Sequence, residues 1–315
     1  MSNPPVASSA EAVISCRLAQ PGEMLPAMRW ILGRPQHPAS DAQATEFLRL
    51  AFHRGIDPAE LWIATSGDQL IWAVLPIPSP GRTVLLFMPA DYSDDLQRRA
   101  AIELTERVLQ HYIDRNTQLA QALFESFDQR MIDLFVSLQF RRLAELVYLQ
   151  GVPRKGYAFP KLPAGMQWMT YSEQTHSLFA AAIQQSYAQS LDCPGLAGMR
   201  SIEDVIAGHK GVGEFDPATW FVLLEQNNPV GVALVTALPA HQTMELVYLG
   251  LIPSARGRGL GEILFRQVLA STAHSAFGRI NFAVDGSNRP ALTLYYRHGM
   301  QRVASKIAML RDLRK

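Results

Sequence analysis

Cysteine is nearly absent from this sequence: Cys16 and Cys193 stand far apart and outside any metal-ligand spacing. That speaks against a disulfide framework and a structural zinc site, and it fits a reducing compartment. Surplus charge is absent too, with 29 Lys+Arg against 28 Asp+Glu and a formal net charge of +1. A nucleic-acid or anionic-membrane partner usually leaves a basic excess or a Lys/Arg run, and neither occurs. Long apolar runs are missing as well. The longest, such as residues 246–252, are strand-sized, against the roughly 20 residues a membrane helix needs. Residues 1–23 have no basic start followed by an apolar stretch, so no secretion signal is expected there. The expectation is a cytoplasmic protein without membrane or nucleic-acid partners.

What is present is enough apolar material for a large core: 48% hydrophobic and 18% charged residues over 315 positions. That length suggests two domains or one large one. The clearest break is at residues 151–165, GVPRKGYAFPKLPAG, where clustered prolines and glycines disfavour helix and sheet alike. It separates halves of nearly equal length, and their patterns repeat. Strand-like runs at 61–65, 70–75 and 83–88 have counterparts at 220–224, 230–236 and 244–252. A helix-period segment follows in each half, at 94–112 and 259–276, then another strand, a short helix and a final apolar pair of strands. Leu134-Phe135 with Gln139-Phe140 matches Leu294-Tyr295 with Gly299-Met300, all at an offset of about 160 residues. The reading is two copies of one α+β domain, residues 1–150 and 166–315, joined by the linker 151–165.

Only the second copy contains a run with chemistry in it, from Tyr248 through Arg256, Gly257, Arg258, Gly259, Leu260 and Gly261. A buried strand enters a loop of alternating glycines and an amphipathic helix leaves it. Glycines allow close backbone approach, and the free amides at a helix start favour an anion. Arg256 and Arg258 add positive charge, so the loop reads as a pyrophosphate cradle. It is not a nucleotide-triphosphatase loop, because no Lys-Ser/Thr pair follows the glycines. It is not a dinucleotide fingerprint either, because Glu262 occupies the third glycine position.

The run fits R-x-x-G-x-G, with Arg256, Gly259 and Gly261, and so resembles the signature loop of the GNAT acyl-CoA N-acyltransferase superfamily. A second element of that family's pattern follows in order: Asn288, Ala291, Leu294, Tyr295 and Gly299, with Met300 replacing the usual Phe. The resemblance covers about residues 166–310. It implies two tandem GNAT-type domains, each a mixed, mostly antiparallel sheet flanked by helices, with acetyl-CoA as co-substrate, no metal, and a small-molecule or protein amine as acceptor. The first copy reads Pro89-Ala-Asp-Tyr-Ser-Asp-Asp-Leu-Gln97 at the loop position, without glycine and with three aspartates, and Phe135 stands in place of Tyr295. Carboxylates there repel a pyrophosphate. That copy reads as degenerate, structural, and a possible wall of the acceptor pocket.

Carried over residue by residue, the resemblance assigns Leu249, Gly250 and Leu251 to the pantetheine arm, and the amides from Arg256 to Gly261 to the pyrophosphate. Asn288 and Ala291 fall at the cofactor edge. Glu245, on an otherwise apolar strand, is the candidate general base, against a solvent-facing or ion-paired glutamate. Tyr295 is the candidate acid for the departing thiolate, against a packing role, and Tyr296 is its less well-spaced neighbour. Acceptor contacts are expected from residues 187–215, with Tyr187 and Asp192 foremost and Cys193, Arg200, His209 and Lys210 nearby. Cys193 lacks an adjacent His and reads as inert. Gly208, Gly211 and Gly213 read as a flexible loop, and His241 and His298 as peripheral. The alternatives to an N-acetyltransferase are a non-catalytic acyl-CoA sensor and a transferase for another acyl or aminoacyl group.

Overall fold

The computed structural model describes residues 12–34, 37–53, 56–154 and 156–314. Residues 1–11, part of the stretch read for a targeting signal, and position 155 of the linker lie outside them. In chain order the first half runs β1 Ser15–Leu18, α1 Met24–Leu32, α2 Asp41–His53, β2 Trp62–Ser66, β3 Gln69–Ser79, β4 Thr83–Phe87, α3 Asp95–Ile113, β5 Leu119–Phe124, α4 Gln129–Ser137 and β6 Arg141–Gly151. The second half repeats that order as β7 Met166–Thr170, α5 His176–Ser186, α6 Ile202–Lys210, β8 Trp220–Glu225, β9 Asn228–Leu238, β10 Thr243–Leu251, α7 Leu260–Ala273, β11 Ile280–Asp285, α8 Arg289–Arg297 and β12 Gln301–Asp312. The repeat seen in the sequence is therefore a repeat of structure. The expected final pair of strands is instead one long strand in each half.

Contacts do not divide the chain at the linker. They give one unit of Met1–Ile77 with Leu86–Arg115, and a second of Pro78–Leu85 with Asn116–Lys315. Contacts of this kind cross the boundary read at 151–165 because the two halves exchange strands. In the second unit the strands lie in the order β5-β12-β6-β11-β10-β9-β8-β7. The last strand of the chain, β12, pairs antiparallel with β5 and β6, while β6 pairs antiparallel with β11 along the whole of Ile280–Asp285. Each half thus gives its final strand to the other half's fifth. Backbone amides and carbonyls on a strand edge must find partners, and here they find them in the opposite copy.

Within the first unit, β1 and β3 flank β2 in antiparallel pairs, and Met28, Ile31, Leu61, Ile63 and Leu75 form a closed core. In the second unit two cores lie on opposite faces of the sheet. Leu264, Phe265 and Val268 of α7 pack with Leu149, Phe282 and Val284, whereas Phe179 and Ile183 of α5 and Val205 of α6 pack with Trp220, Val222 and Leu234.

Candidate active site

Strand β10 shapes the site. Met244 and Leu246 face the α7 core, so the intervening Glu245 faces the other side. The register against β9 then slips between Leu246 and Tyr248. This bulge sends both Val247 and Tyr248 to the α5–α6 face, after which Leu249 and Leu251 return to the α7 face. Glu245 and Tyr248 therefore share a face. No residue pattern in the sequence announced the bulge.

On its other edge β10 pairs in parallel with β11 only at Met244↔Ile280 and Glu245↔Asn281. Beyond Glu245 the two strands part: β10 continues to Leu251 against β9 alone, and β11 continues against β6. The backbone of residues 246–251 thus has no strand partner on the β11 side among the described residues, and Leu249, Gly250 and Leu251 lie along that edge. Gly250 is required by packing, since a Cβ there would stand 2.6 Å from Ser186 Oγ and 2.9 Å from the Tyr248 ring.

That edge leads to the glycine loop. Gly257 and Gly259 have φ of 73° and 79°, and a Cβ on either would meet nothing within 4 Å. Glycine is needed there for its backbone conformation, and the space beside the amides is open. Gly259 caps α7, whose first turn includes Leu260 and Gly261 and whose leading amides have no intrahelical acceptor. Leu260 itself is buried in the core. The two arginine side chains, expected to supply charge, are committed elsewhere. Arg256 donates to the carbonyls of Leu251, Gln189, Ser186 and Ala188 at 2.8–3.1 Å, clasping the loop to the end of α5. Arg258 forms a two-pronged pair with Glu225 at 3.0 and 2.6 Å. The cradle is thus made of backbone amides and a helix start, a combination that suits a pyrophosphate.

Glu245 has no hydrogen-bond or ion-pair partner among the described residues, and burial pushes its carboxyl up to about 7. Tyr295 is 5% exposed and sits between Phe265 and Phe282, with ring centroids 4.8 and 4.6 Å away. Burial, with a smaller contribution from the Asp192 charge, raises its pKa and keeps the phenol protonated at neutral pH. Asn288 caps α8, its Oδ1 accepting from the Ala291 amide at 3.3 Å, so both residues serve the junction that orients Tyr295.

The acceptor segment folds over the same face. Tyr187 ends α5 and meets Tyr248 edge-on at 5.8 Å, while the Tyr248 hydroxyl lies 2.8 Å from Ser186 Oγ. Asp192 Oδ1 accepts from the Asp285 amide at 2.8 Å, and Asp285 Oδ2 accepts from the Cys193 amide at 3.1 Å. This clasp fastens the segment to the end of β11. Burial raises the Asp192 carboxyl above its usual range, and it pushes the Cys193 thiol up to about 12, which disarms it as a nucleophile. The flexible loop expected at Gly208–Gly213 begins as helix, with Gly208 to Lys210 forming the end of α6. Gly208 lies within α6 and Gly211 ends it, because both must pass close to Pro80. His298 Nε2 meets Glu262 Oε1 at 2.7 Å on α7, and His241 is exposed beside β10.

Tyr148 was not anticipated. It stands on the exchanged strand β6 opposite Ala283, and burial together with the charges of Glu245 and Glu125 raises its phenol pKa. The first half thus places a side chain within electrostatic reach of Glu245. A tyrosine in the apolar run of β6 was the available signal, but the strand exchange that directs it here was not visible. Among the described residues no cluster of three or more His, Cys, Asp or Glu could hold a metal, and no helix is long and apolar enough to cross a membrane.

Comparison with known proteins agrees with this geometry. Residues 187–300 match the profile of the acetyltransferase (GNAT) family. A mycothiol acetyltransferase of Gordonia bronchialis is 33% identical over 105 residues, which are 33% of this chain and 34% of that protein. Another from Streptomyces scabiei is 29% identical over 143 residues, 45% of each chain. The matched stretches thus span less than half of those relatives. Two solved structures share the fold over nearly the whole chain. A GCN5-related N-acetyltransferase from Sphaerobacter thermophilus has a TM-score of 0.62 at 15% identity, covering 95% of this chain and 96% of that one. A tandem GNAT protein from the clavulanic acid biosynthesis pathway has a TM-score of 0.52 at 13% identity, covering 96% and 99%.

Proposed function

We propose, from the match of residues 187–300 to the acetyltransferase (GNAT) family profile, that the second half transfers the acetyl group of acetyl-CoA to a primary amine by direct attack in a ternary complex. The observation that carries this reading is the parting of β10 from β11 immediately after Glu245, above a glycine loop with open space. An extended pantetheine arm can lie along residues 246–251 and bond to their backbone, while the amides of residues 257–261 hold the pyrophosphate. A backbone N–H near Leu249 is aimed at the thioester carbonyl oxygen, an interaction worth about 3 kcal/mol to such reactions.

A carboxylate whose pKa is raised to about 7 is suited to take a proton from an ammonium near neutral pH. Tyr295, a phenol protonated at neutral pH, supplies the proton that the departing thiolate needs. Amine attack forms the C–N bond, the C–S bond breaks, Glu245 takes the proton from the amine, and Tyr295 protonates the sulfur. The first half binds no CoA in this reading, because its loop position carries aspartates. Its part is to complete the sheet and present Tyr148.

The test is release of free thiol from acetyl-CoA in the presence of amine pools, with mycothiol-related amines included because of the relatives' names. Thiol release that depends on an amine and on Glu245 supports the reading. Binding of acetyl-CoA with no release on any amine would instead make the protein an acyl-CoA sensor.

A further inference from the structure

Arg200 is the unclaimed cation of the acceptor segment. It is half-buried, yet its guanidinium has no hydrogen bond or ion pair among the described residues. The acids closest to it in sequence have other partners. Asp204 receives two donors from Arg82, Glu203 Oε1 meets His176 Nε2 at 3.1 Å, and Asp192 accepts from the Asp285 amide.

The packing makes room for this side chain. Gly208 lies in the last turn of helix α6, where glycine is a poor helix former. A Cβ there would stand 3.3 Å from Arg200 Nη1 and 3.3 Å from the Pro80 carbonyl oxygen. Next to Gly208, His209 stacks on Tyr248 with centroids 5.4 Å apart, and Tyr187 meets the same ring edge-on at 5.8 Å. Burial, then the Arg200 charge, holds His209 neutral, and its buried Nε2 is left without a partner. The rings of His209, Tyr248 and Tyr187 thus meet on the face of β10 that carries Glu245, and the Arg200 charge acts on both His209 and Tyr187.

An unpaired guanidinium in such surroundings is costly, and its planar fork suits a carboxylate. We propose that Arg200 binds a carboxylate on the acceptor, so that the substrates are amines of the amino-acid class, with the acid group at Arg200 and the amine at Glu245. This rests on the acetyltransferase reading above.

The test uses the full chain and matched pairs of amino acids and their primary amides of graded length. KM is read by thiol release, and Kd by calorimetry in the presence of CoA. In the wild type the best acid should bind 10–100-fold more tightly than its amide. Arg200→Gln should erase that preference by weakening the acid far more than the amide. Arg200→Lys, which keeps charge without the fork, should retain part of it. Comparing variants within one pair cancels the intrinsic difference in amine basicity. Equal affinity for acid and amide in the wild type, an undiminished preference in Arg200→Gln, or failure of every acid to bind would each overturn the proposal. Arg200-dependent acid binding without acetyl transfer would defeat the transferase reading and leave the Arg200 assignment standing.

Discussion

The Arg256 guanidinium donates to the Ser186 carbonyl at 2.8 Å, tying the glycine loop to the C-terminus of α5. With its further bonds to Leu251, Gln189 and Ala188, this arginine works as a brace between the glycine loop and the segment that follows α5. Arg256→Ala should cost about 2 kcal/mol of stability, since bonds to charged donors are worth about 1.5–3 kcal/mol each and part of the loss is recovered in water. It should also weaken acetyl-CoA and acceptor together. Urea denaturation with parallel KM measurements checks this; unchanged stability with acetyl-CoA binding alone lost would assign Arg256 to the phosphate.

Acetyl-CoA should bind once per chain. Gly259→Asp forces a non-glycine residue to a φ of 79° and places a carboxylate where the pyrophosphate belongs. The backbone strain is about 1–2 kcal/mol. Calorimetry should give one site for the wild type and none for the variant. Two equivalent sites would show that the first half also binds the cofactor.

Glu245 gives two pH signatures. Its carboxyl is raised to about 7, so the basic form appears only as pH rises through neutrality, and kcat/KM for the amine should rise with it. Glu245→Gln should lower kcat/KM about 10²-fold near neutrality, with most of the rate returning as pH rises toward the amine's own pKa, where about half of it is free base. Stability runs the opposite way. Unfolded glutamate ionises near pH 4.3 and the folded one near 7, so the wild type loses stability as pH rises across that window. Glu245→Gln should not share that loss and should be the more stable protein at pH 8. Parallel pH profiles for wild type and variant would remove Glu245 as the base.

For Tyr295, replacement by Phe keeps the packing against Phe265 and Phe282 and deletes only the hydroxyl. We expect kcat to fall roughly 10–10³-fold with little change in KM for acetyl-CoA. A weaker KM at unchanged kcat would reduce it to a packing residue.

Residues 166–315 alone should not form a stable domain. Without β6, strand β11 loses its partner along Ile280–Asp285 and β12 loses both neighbours. We expect this fragment to be insoluble or aggregated by size-exclusion chromatography, and soluble when co-expressed with residues 1–165. A monomeric, acetyl-CoA-binding fragment would show the exchange to be dispensable.

The amino-acid sequence by itself determined what depends on local pattern. The glycine loop and the twofold order of elements follow from short-range spacing, turn chemistry and hydrophobic period, and the Asn288–Gly299 element from the resemblance to the GNAT pattern. Glu245, alone among apolar strand residues, stood out for the same reason. Tertiary structure decided what depends on strand pairing and side-chain competition. Periodicity cannot say which edge a final strand will join, so the exchange of β6 and β12, and with it the place of Tyr148, was invisible. Nor can it say that Arg256 and Arg258 would be taken by carbonyls and by Glu225, or that Asp204 would be taken by Arg82. The bulge at Val247 belongs with these, because the register of β10 is settled by both of its neighbours and not by its own residues.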